Sequence, residues 1–129
     1  MFDGGHKLTE VGDLEDEAGI FTWCLDTGKL YGDSTVASIF GLDPHRTEVG
    51  LPASAYADRI YAEDRGAVAA LVSKAIRDGR PYRAEYRVVD PAGFPRWVLA
   101  FGRCFRDPTG NPKYYSGIIY PADELLDDL

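Results

Sequence analysis

Apolar and polar positions along the chain change period twice. From Gly19 the run Ile20-Phe21-Thr22-Trp23-Cys24-Leu25-Asp26 is aromatic and β-branched and closes on Thr27-Gly28, which predicts a strand and a turn. Lys29-Leu30-Tyr31-Gly32 then makes a short partner strand, giving a hairpin. After Asp33 and Ser34, both good N-caps, Val36, Ile39 and Phe40 fall at helical spacing until Gly41. Over 51–60, Tyr56 and Ile60 at i and i+4 predict a second short helix. A longer amphipathic helix follows, with Val68, Leu71, Val72, Ala75 and Ile76 on one stripe. Glu63-Asp64 stand at its start, Lys74 and Arg77 near its end, and Gly79 beyond it. Alternation then takes over: Tyr82, Ala84, Tyr86 and Val88 against Arg83, Glu85 and Arg87 predict a strand from 82 to 89 with one buried face. Asp90-Pro91-Ala92-Gly93 is a turn. A strand over 96–106, a turn over 107–112 and a strand over 113–120 complete the pattern, with Pro121 expected to end the ladder. Two strands, three helices and three strands read as an α+β domain, an antiparallel sheet with helices on one face.

The 129 residues hold one core, since single cores span about 50 to 200 residues, and 45% hydrophobic with 27% charged is ordinary globular composition. The domain is placed at 19–124. Residues 1–18, with an acidic run from Glu10 to Glu17, read as a tail with a helical turn or two, and 125–129 as an acidic end. No apolar run approaches the roughly 20 residues of a membrane span, and the first residues lack the basic and apolar segments of a secretory signal, so a cytoplasmic location is expected. A formal charge of -7 repels a phosphate backbone and argues against nucleic acid as a partner. Cys24 and Cys104 fit no metal spacing and no disulfide framework; both are expected reduced and buried.

Catalytic signatures are lacking. There is no Gly-x-Ser-x-Gly, phosphate-cradling glycine loop or His/Glu metal motif. Glu63 and Asp64 are explained by the helix dipole, Asp26 as a turn former, Glu85 with Arg87 as a solvated pair, and His6 and His45 as exposed loop residues. The enzyme alternative is a small cone-shaped α+β isomerase or dehydratase acting on an apolar ligand. It needs a His/Asp or Tyr/Asp pair converging in the pocket, and Tyr56 is its sole candidate member, without an identified Asp.

Several motifs occur in a shared order: the hairpin with Trp23 and Asp26, Phe40-Gly41, Glu63-Asp64-Arg65, Glu85-Tyr86-Arg87, Arg96-Trp97-Val98, then Asp107, Gly110 and Pro112, then Gly117. In these the chain resembles a PAS domain of the bacterial sensory type over nearly its whole length. The resemblance implies a five-stranded antiparallel sheet with short helices over its concave side. It implies small-molecule sensing or homodimerisation in bacterial signal transduction, and no catalysis. Two departures stand out: Tyr61-Ala62 replaces the family's usual His-Pro, removing a helix-starting proline, and Pro121-Ala122-Asp123 replaces the usual Asp-Ile-Thr through which the sheet reaches an output helix.

Transferred to this chain, the family's register turns Val98, Ala100, Gly102, Cys104, Tyr115, Gly117 and Ile119 toward the helices, with Phe21, Trp23, Leu25, Tyr86 and Val88. Candidate ligand-binding residues are therefore Phe21, Trp23, Tyr86 and Val88, then Val98, Ala100, Tyr115 and Gly117 from the last strands. Ile39, Phe40, Tyr56, Val72 and Ile76 join them from the helices. Small inward residues leave room for an apolar or aromatic molecule, unless Phe21, Trp23 and Tyr115 fill it themselves. The long helix has no histidine for haem, and neither cysteine lies on a helix as a flavin photoadduct requires, so no cofactor is predicted. The same register sends Trp97, Leu99, Phe101, Tyr114, Ile118 and Tyr120 outward. Such an apolar patch needs a cover, and a homodimer with Val11 and Leu14 of the N-terminal segment contributing is the expected one.

Overall fold

The structure is a computed structural model that describes residues 18–122. Strands β1 (Gly19–Cys24) and β2 (Lys29–Gly32) form the hairpin, and helices α1 (Ser34–Phe40) and α2 (Pro44–Val49) follow. Next come the two-residue strand β3 (Leu51–Pro52) and helices α3 (Ala53–Ala57) and α4 (Ala62–Asp78). Strands β4 (Tyr82–Val89), β5 (Pro95–Arg106) and β6 (Pro112–Pro121) complete the domain. The sheet is antiparallel with order β3-β2-β1-β6-β5-β4, so the first and last strands meet at its centre. It has six strands, not five.

Local chemistry explains most boundaries. Asp33 caps α1, its Oδ1 accepting from Val36 N at 3.0 Å, while its other oxygen accepts from Ile20 N at 3.1 Å and ties the helix to β1. Gly41 and Gly79 end α1 and α4 in the left-handed conformation. Asp107 organises the β5–β6 turn by accepting from Thr109 Oγ1, Asn111 N and Thr109 N, which holds its carboxyl below the usual carboxylate range. Two arginines reach the carbonyls that helix ends leave unpaired. Arg59 donates to Phe40 O and Gly41 O at 2.9 Å each, and Arg106 donates to Ile76 O and Arg77 O at the end of α4.

Several expectations are corrected. The helix expected over 51–60 is a short strand followed by one turn and a half of helix. Leu51 pairs with Leu30, and Ile60 is drawn into a bridge with Val88. Helix α2, capped by Asp43 with Pro44 in its first turn, is an addition, and His45 lies on it, exposed. Pro121 does not end the ladder: it pairs with Val98, and Ala122 N donates to Trp97 O at 3.0 Å. Proline lacks a donor, but its carbonyl and the next N–H still serve the neighbouring strand. Cys24 is half-buried, Cys104 buried, and both are free.

The acidic pair at the head of α4 also differs from expectation. Asp64 does not merely face the helix dipole: it accepts from Arg87 Nε at 2.9 Å and Nη2 at 2.7 Å, and from Arg87 N at 3.0 Å. Glu85 pairs instead with Arg83. Asp26 is more than a turn former, since Lys113 Nζ donates to it at 2.6 Å. The Arg87 guanidinium also lies 4.3 Å from the centre of the Tyr61 ring and 5.0 Å from that of Trp97. With Tyr61 N donating to Arg87 O and Val89 N to Arg59 O, the chain leading into α4 covers the free edge of β4. The N-terminal tail, His6, Val11, Leu14 and the acidic end lie outside the described residues.

Candidate functional site

Alternation along the strands sorts side chains to two faces as the sequence predicts. Ala84, Tyr86, Val88, Val98, Ala100, Cys104, Tyr115 and Ile119 are buried on the helix side. They do not fill the space beneath the helices. A cavity of about 260 Å³ lies between α4 and the sheet, floored by β1, β4 and β6 and walled by α1 and α3. Its depth is marked by Val36, Tyr86, Tyr115 and Ile119, all buried, and its mouth by Ala57 of α3 and Ala69 and Ser73 of α4, all exposed. Helix α4 spans the cavity, so of its apolar stripe only Ala75 is buried. Val68, Val72 and Ile76 are half-buried over the opening, and Leu71 faces outward.

Eight expected residues line this space: Phe21, Trp23, Phe40, Tyr56, Val72, Ile76, Tyr86 and Tyr115. Five do not. Val88, Val98 and Ala100 are packed into one buried cluster with Ile119 and Tyr86, Ile39 packs against that cluster, and Gly117 offers no side chain. Leu30, Val36, Ile60, Val68, Tyr82 and Ile119 were missed, as were Ala53, Ala57, Ala69 and Ser73 at or near the mouth. Tyr82 and Ile119 were legible from alternation alone, because each falls in phase with an assigned neighbour.

The lining is chemically uniform, with no acidic, basic, histidine or cysteine side chain. Burial pushes the Tyr56 and Tyr82 phenols up to about 12 and Tyr86 higher still, so all three stay neutral at physiological pH. Tyr56 donates to Leu30 O at 3.4 Å and packs edge-on to Phe40, with ring centres 5.2 Å apart. No described Asp or His lines the cavity with it, so the Tyr/Asp pair of the enzyme alternative is not assembled there. The Tyr115 ring lies 5.5 Å from Tyr82 and 6.2 Å from Phe21, centre to centre. Among the described residues, the buried side-chain polar atoms without a hydrogen-bond partner are Trp23 Nε1 and Tyr115 Oη, and both residues line the cavity. No group of three or more His, Cys, Asp or Glu among the described residues is placed to hold a metal.

The outer face departs from the expected patch at Leu99, which is only 3% exposed and so offers little surface to a partner. Ile20, Phe105, Tyr114 and Ile118 are exposed there, and Trp97, Phe101 and Tyr120 are half-buried. Among the described residues no helix is long and apolar enough to cross a membrane.

Comparison with known proteins agrees with this architecture. The family model described as "PAS fold" matches residues 29–119. The N-terminal domain of a diguanylate cyclase with PAS/PAC sensor from Marinobacter aquaeolei superposes with a TM-score of 0.75 at 18% identity, covering 88% of this chain and 100% of that one. A sensory box histidine kinase/response regulator from Burkholderia thailandensis gives 0.75 at 23% identity, covering 93% of this chain and 88% of that one. The PAS-B domain of Drosophila melanogaster Cycle, with bound ethylene glycol, gives 0.64 at 16% identity, covering 80% and 98%. No curated protein matches the chain in sequence.

Proposed function

Because this chain belongs to the PAS fold family, we propose that it works as a non-catalytic sensory and interaction domain of bacterial signal transduction, taking a small apolar molecule under α4 and pairing with a second copy through its outer sheet face. The observation that carries the reading is the cavity itself. Side chains in an ordinary core close-pack, whereas here three bulky aromatic residues on adjoining strands leave about 260 Å³ open beneath a helix whose apolar stripe is half-exposed. That volume is just under the roughly 300 to 1,000 Å³ of common small-molecule sites. It suits a molecule of one or two rings. Haem and a phosphate-bearing flavin fit this donor set poorly, since the lining has no histidine or cysteine to bond to them and no cation to meet a phosphate.

Filling the cavity buries the exposed flank of Val68, Val72 and Ile76 and so favours one position of α4 over another. Ligand binding thereby becomes a difference in free energy between two packings. The outer face, with Ile20, Phe105, Tyr114 and Ile118 in water, is the surface on which such a change would be read by a second copy.

Native mass spectrometry of the full chain, purified without organic solvent and repeated under denaturing conditions, tests both parts. The expected species is a dimer with a small added mass that is lost on denaturation. Bare polypeptide in every oligomer overturns the small-molecule reading and leaves an interaction module; a monomer overturns the sheet-face pairing.

A further inference from the structure

The cavity under α4 is closed at its depth and open between α3 and α4, and its chemistry divides the same way. Inside, no lining side chain is charged, and Trp23 Nε1 and Tyr115 Oη are sealed from open space. An ionised group carried inward would lose its water without gaining a counter-ion. At the mouth Ala57, Ala69 and Ser73 are exposed, and their small side chains leave the gap unblocked.

Arg65 stands beside that gap, outside the lining. Its Nε donates to Ile60 O at 2.9 Å and its Nη2 to Asp58 O at 3.1 Å, so this α4 side chain is held against the segment that leaves α3. Asp58 follows Ala57 directly, and Ala69 lies one helical turn beyond Arg65, which sets the guanidinium at the end of the mouth where the two helices meet. Both of its partners are backbone carbonyls, and no carboxylate among the described residues forms an ion pair with it. A guanidinium has five N–H donors, and these bonds use two of them. Arg87, by contrast, engages the Asp64 carboxylate with its fork. The acidic excess of the chain belongs to its two ends: residues 18–122 hold 13 Lys and Arg against 11 Asp and Glu.

From this arrangement we infer that the site takes a small amphipathic carboxylate, its apolar body under α4 and its carboxylate in the mouth, hydrogen-bonded to the Arg65 guanidinium. The inference rests on the small-molecule reading above and adds the chemical class and the direction of entry. Carboxylate and guanidinium match in geometry, and at an exposed rim the anion keeps part of its water, so pairing there avoids the desolvation that the interior would impose.

The test uses three probes that share a ring system and an arm: 2-naphthylacetate, 2-(2-naphthyl)ethanol and 2-(2-naphthyl)ethylammonium. Each is titrated into the full chain and followed by amide and arginine Nε–H resonances. The carboxylate is expected to bind about threefold to tenfold more tightly than the alcohol, and the ammonium more weakly than either, with the differences shrinking at high salt. The Arg65 Nε–H resonance, assigned by its loss in Arg65→Lys, should move with the carboxylate and stay still with the alcohol. Arg65→Gln should bring the carboxylate down to the alcohol while leaving alcohol affinity within about twofold, and Arg65→Lys, which keeps the charge, should retain most of the preference. Ala69→Glu, at an exposed position, should turn the preference toward the ammonium, and it decides the question alone if Arg65→Gln does not fold. Equal binding of carboxylate and alcohol, a preference that survives in Arg65→Gln, or one unchanged in Ala69→Glu overturns the carboxylate assignment while the cavity reading stands. Failure of all three probes to bind removes the small-molecule reading together with this one.

Discussion

Gly102 and Gly117 face each other across β5 and β6, both on the helix side of the sheet, and neither has a backbone conformation closed to other residues. Their surroundings nevertheless separate them. A Cβ on Gly117 would lie 1.8 Å from Phe101 O and 2.7 Å from Gly102 Cα, backbone atoms of the neighbouring strand that cannot step aside singly. A Cβ on Gly102 would meet the far end of the Tyr115 side chain at 2.7 to 3.0 Å, and that ring can swing toward the cavity. Overpacking costs about 1 to 3 kcal/mol, and replacing glycine by alanine returns about 0.4 to 1 kcal/mol by restricting the unfolded chain. Gly117→Ala, at the upper end of that cost because backbone must move, is therefore expected to destabilise by about 2 to 2.6 kcal/mol, whereas Gly102→Ala, at its lower end, should stay within about 1 kcal/mol of the parent. With a urea dependence of about 1 to 3 kcal/mol per molar, the unfolding midpoint read by circular dichroism should fall by about 0.7 to 2.6 M for the first and shift by at most about 1 M for the second. A Gly117→Ala midpoint within error of the parent, or the opposite ranking, would refute the close approach of β5 to β6 on which this reasoning stands.

Other perturbations reach different parts of the molecule. Asp64→Ala should cost about 1 to 3 kcal/mol, since it removes both charged hydrogen bonds to a guanidinium only partly exposed to solvent. The Arg87 guanidinium holds the Asp64 carboxyl below its ordinary range. The stabilisation is therefore complete above the unfolded carboxyl's pKa, near about 4, and is lost as pH falls through the lower folded value. An acid titration of stability whose slope below that pH is unchanged in Asp64→Asn would contradict this. At the alkaline end the signs reverse: Tyr82 and Tyr56 ionise near 12 when folded but near about 10 when unfolded, so stability should decline as pH rises from about 10 to about 12. Absorbance at the tyrosinate band should rise late and together with unfolding; early titration of all eight tyrosines would sink the buried assignment. If two copies pair through the outer face as proposed, Phe101→Glu should leave only monomer in native mass spectra, and a dimer mass unchanged from the parent would remove the outer face from the interface.

Sequence pattern reached the fold further than it reached the site. Alternation placed β4 from 82 to 89, and the caps at Asp33, Gly41 and Gly79 fixed helix ends, because each signal is local and physically strong. Asp43-Pro44 carries an equally local signature, an N-cap followed by a first-turn proline, so α2 was legible too. Strand β3 was not: two residues show no periodicity, and Leu51 is extended because Leu30 offers it a partner. The same limit applies within the cavity. Alternation says that Val98 and Ala100 face the helices; whether they meet open space or the flank of Ile119 depends on contacts between elements far apart in sequence. Asp64 and Arg87, 23 positions apart, are invisible as a pair for that reason. The similarities to solved structures, at 23% identity or below, speak to fold alone.

Helix α4 is fastened at both ends and bridged over a hollow between them. Asp64 bolts its first turn to Arg87 on the edge strand, and Arg106 grips the carbonyls of its last turn from the β5–β6 hairpin. It is a beam on two supports, and a load placed beneath the span becomes a reaction force at each support. One support is the strand that also carries the Trp97 contact of Arg87; the other is the hairpin whose far strand carries Tyr114 and Ile118. Under the function proposed above, a molecule beneath α4 would bear on the outer side of the sheet through these two arginines, without any strand having to break.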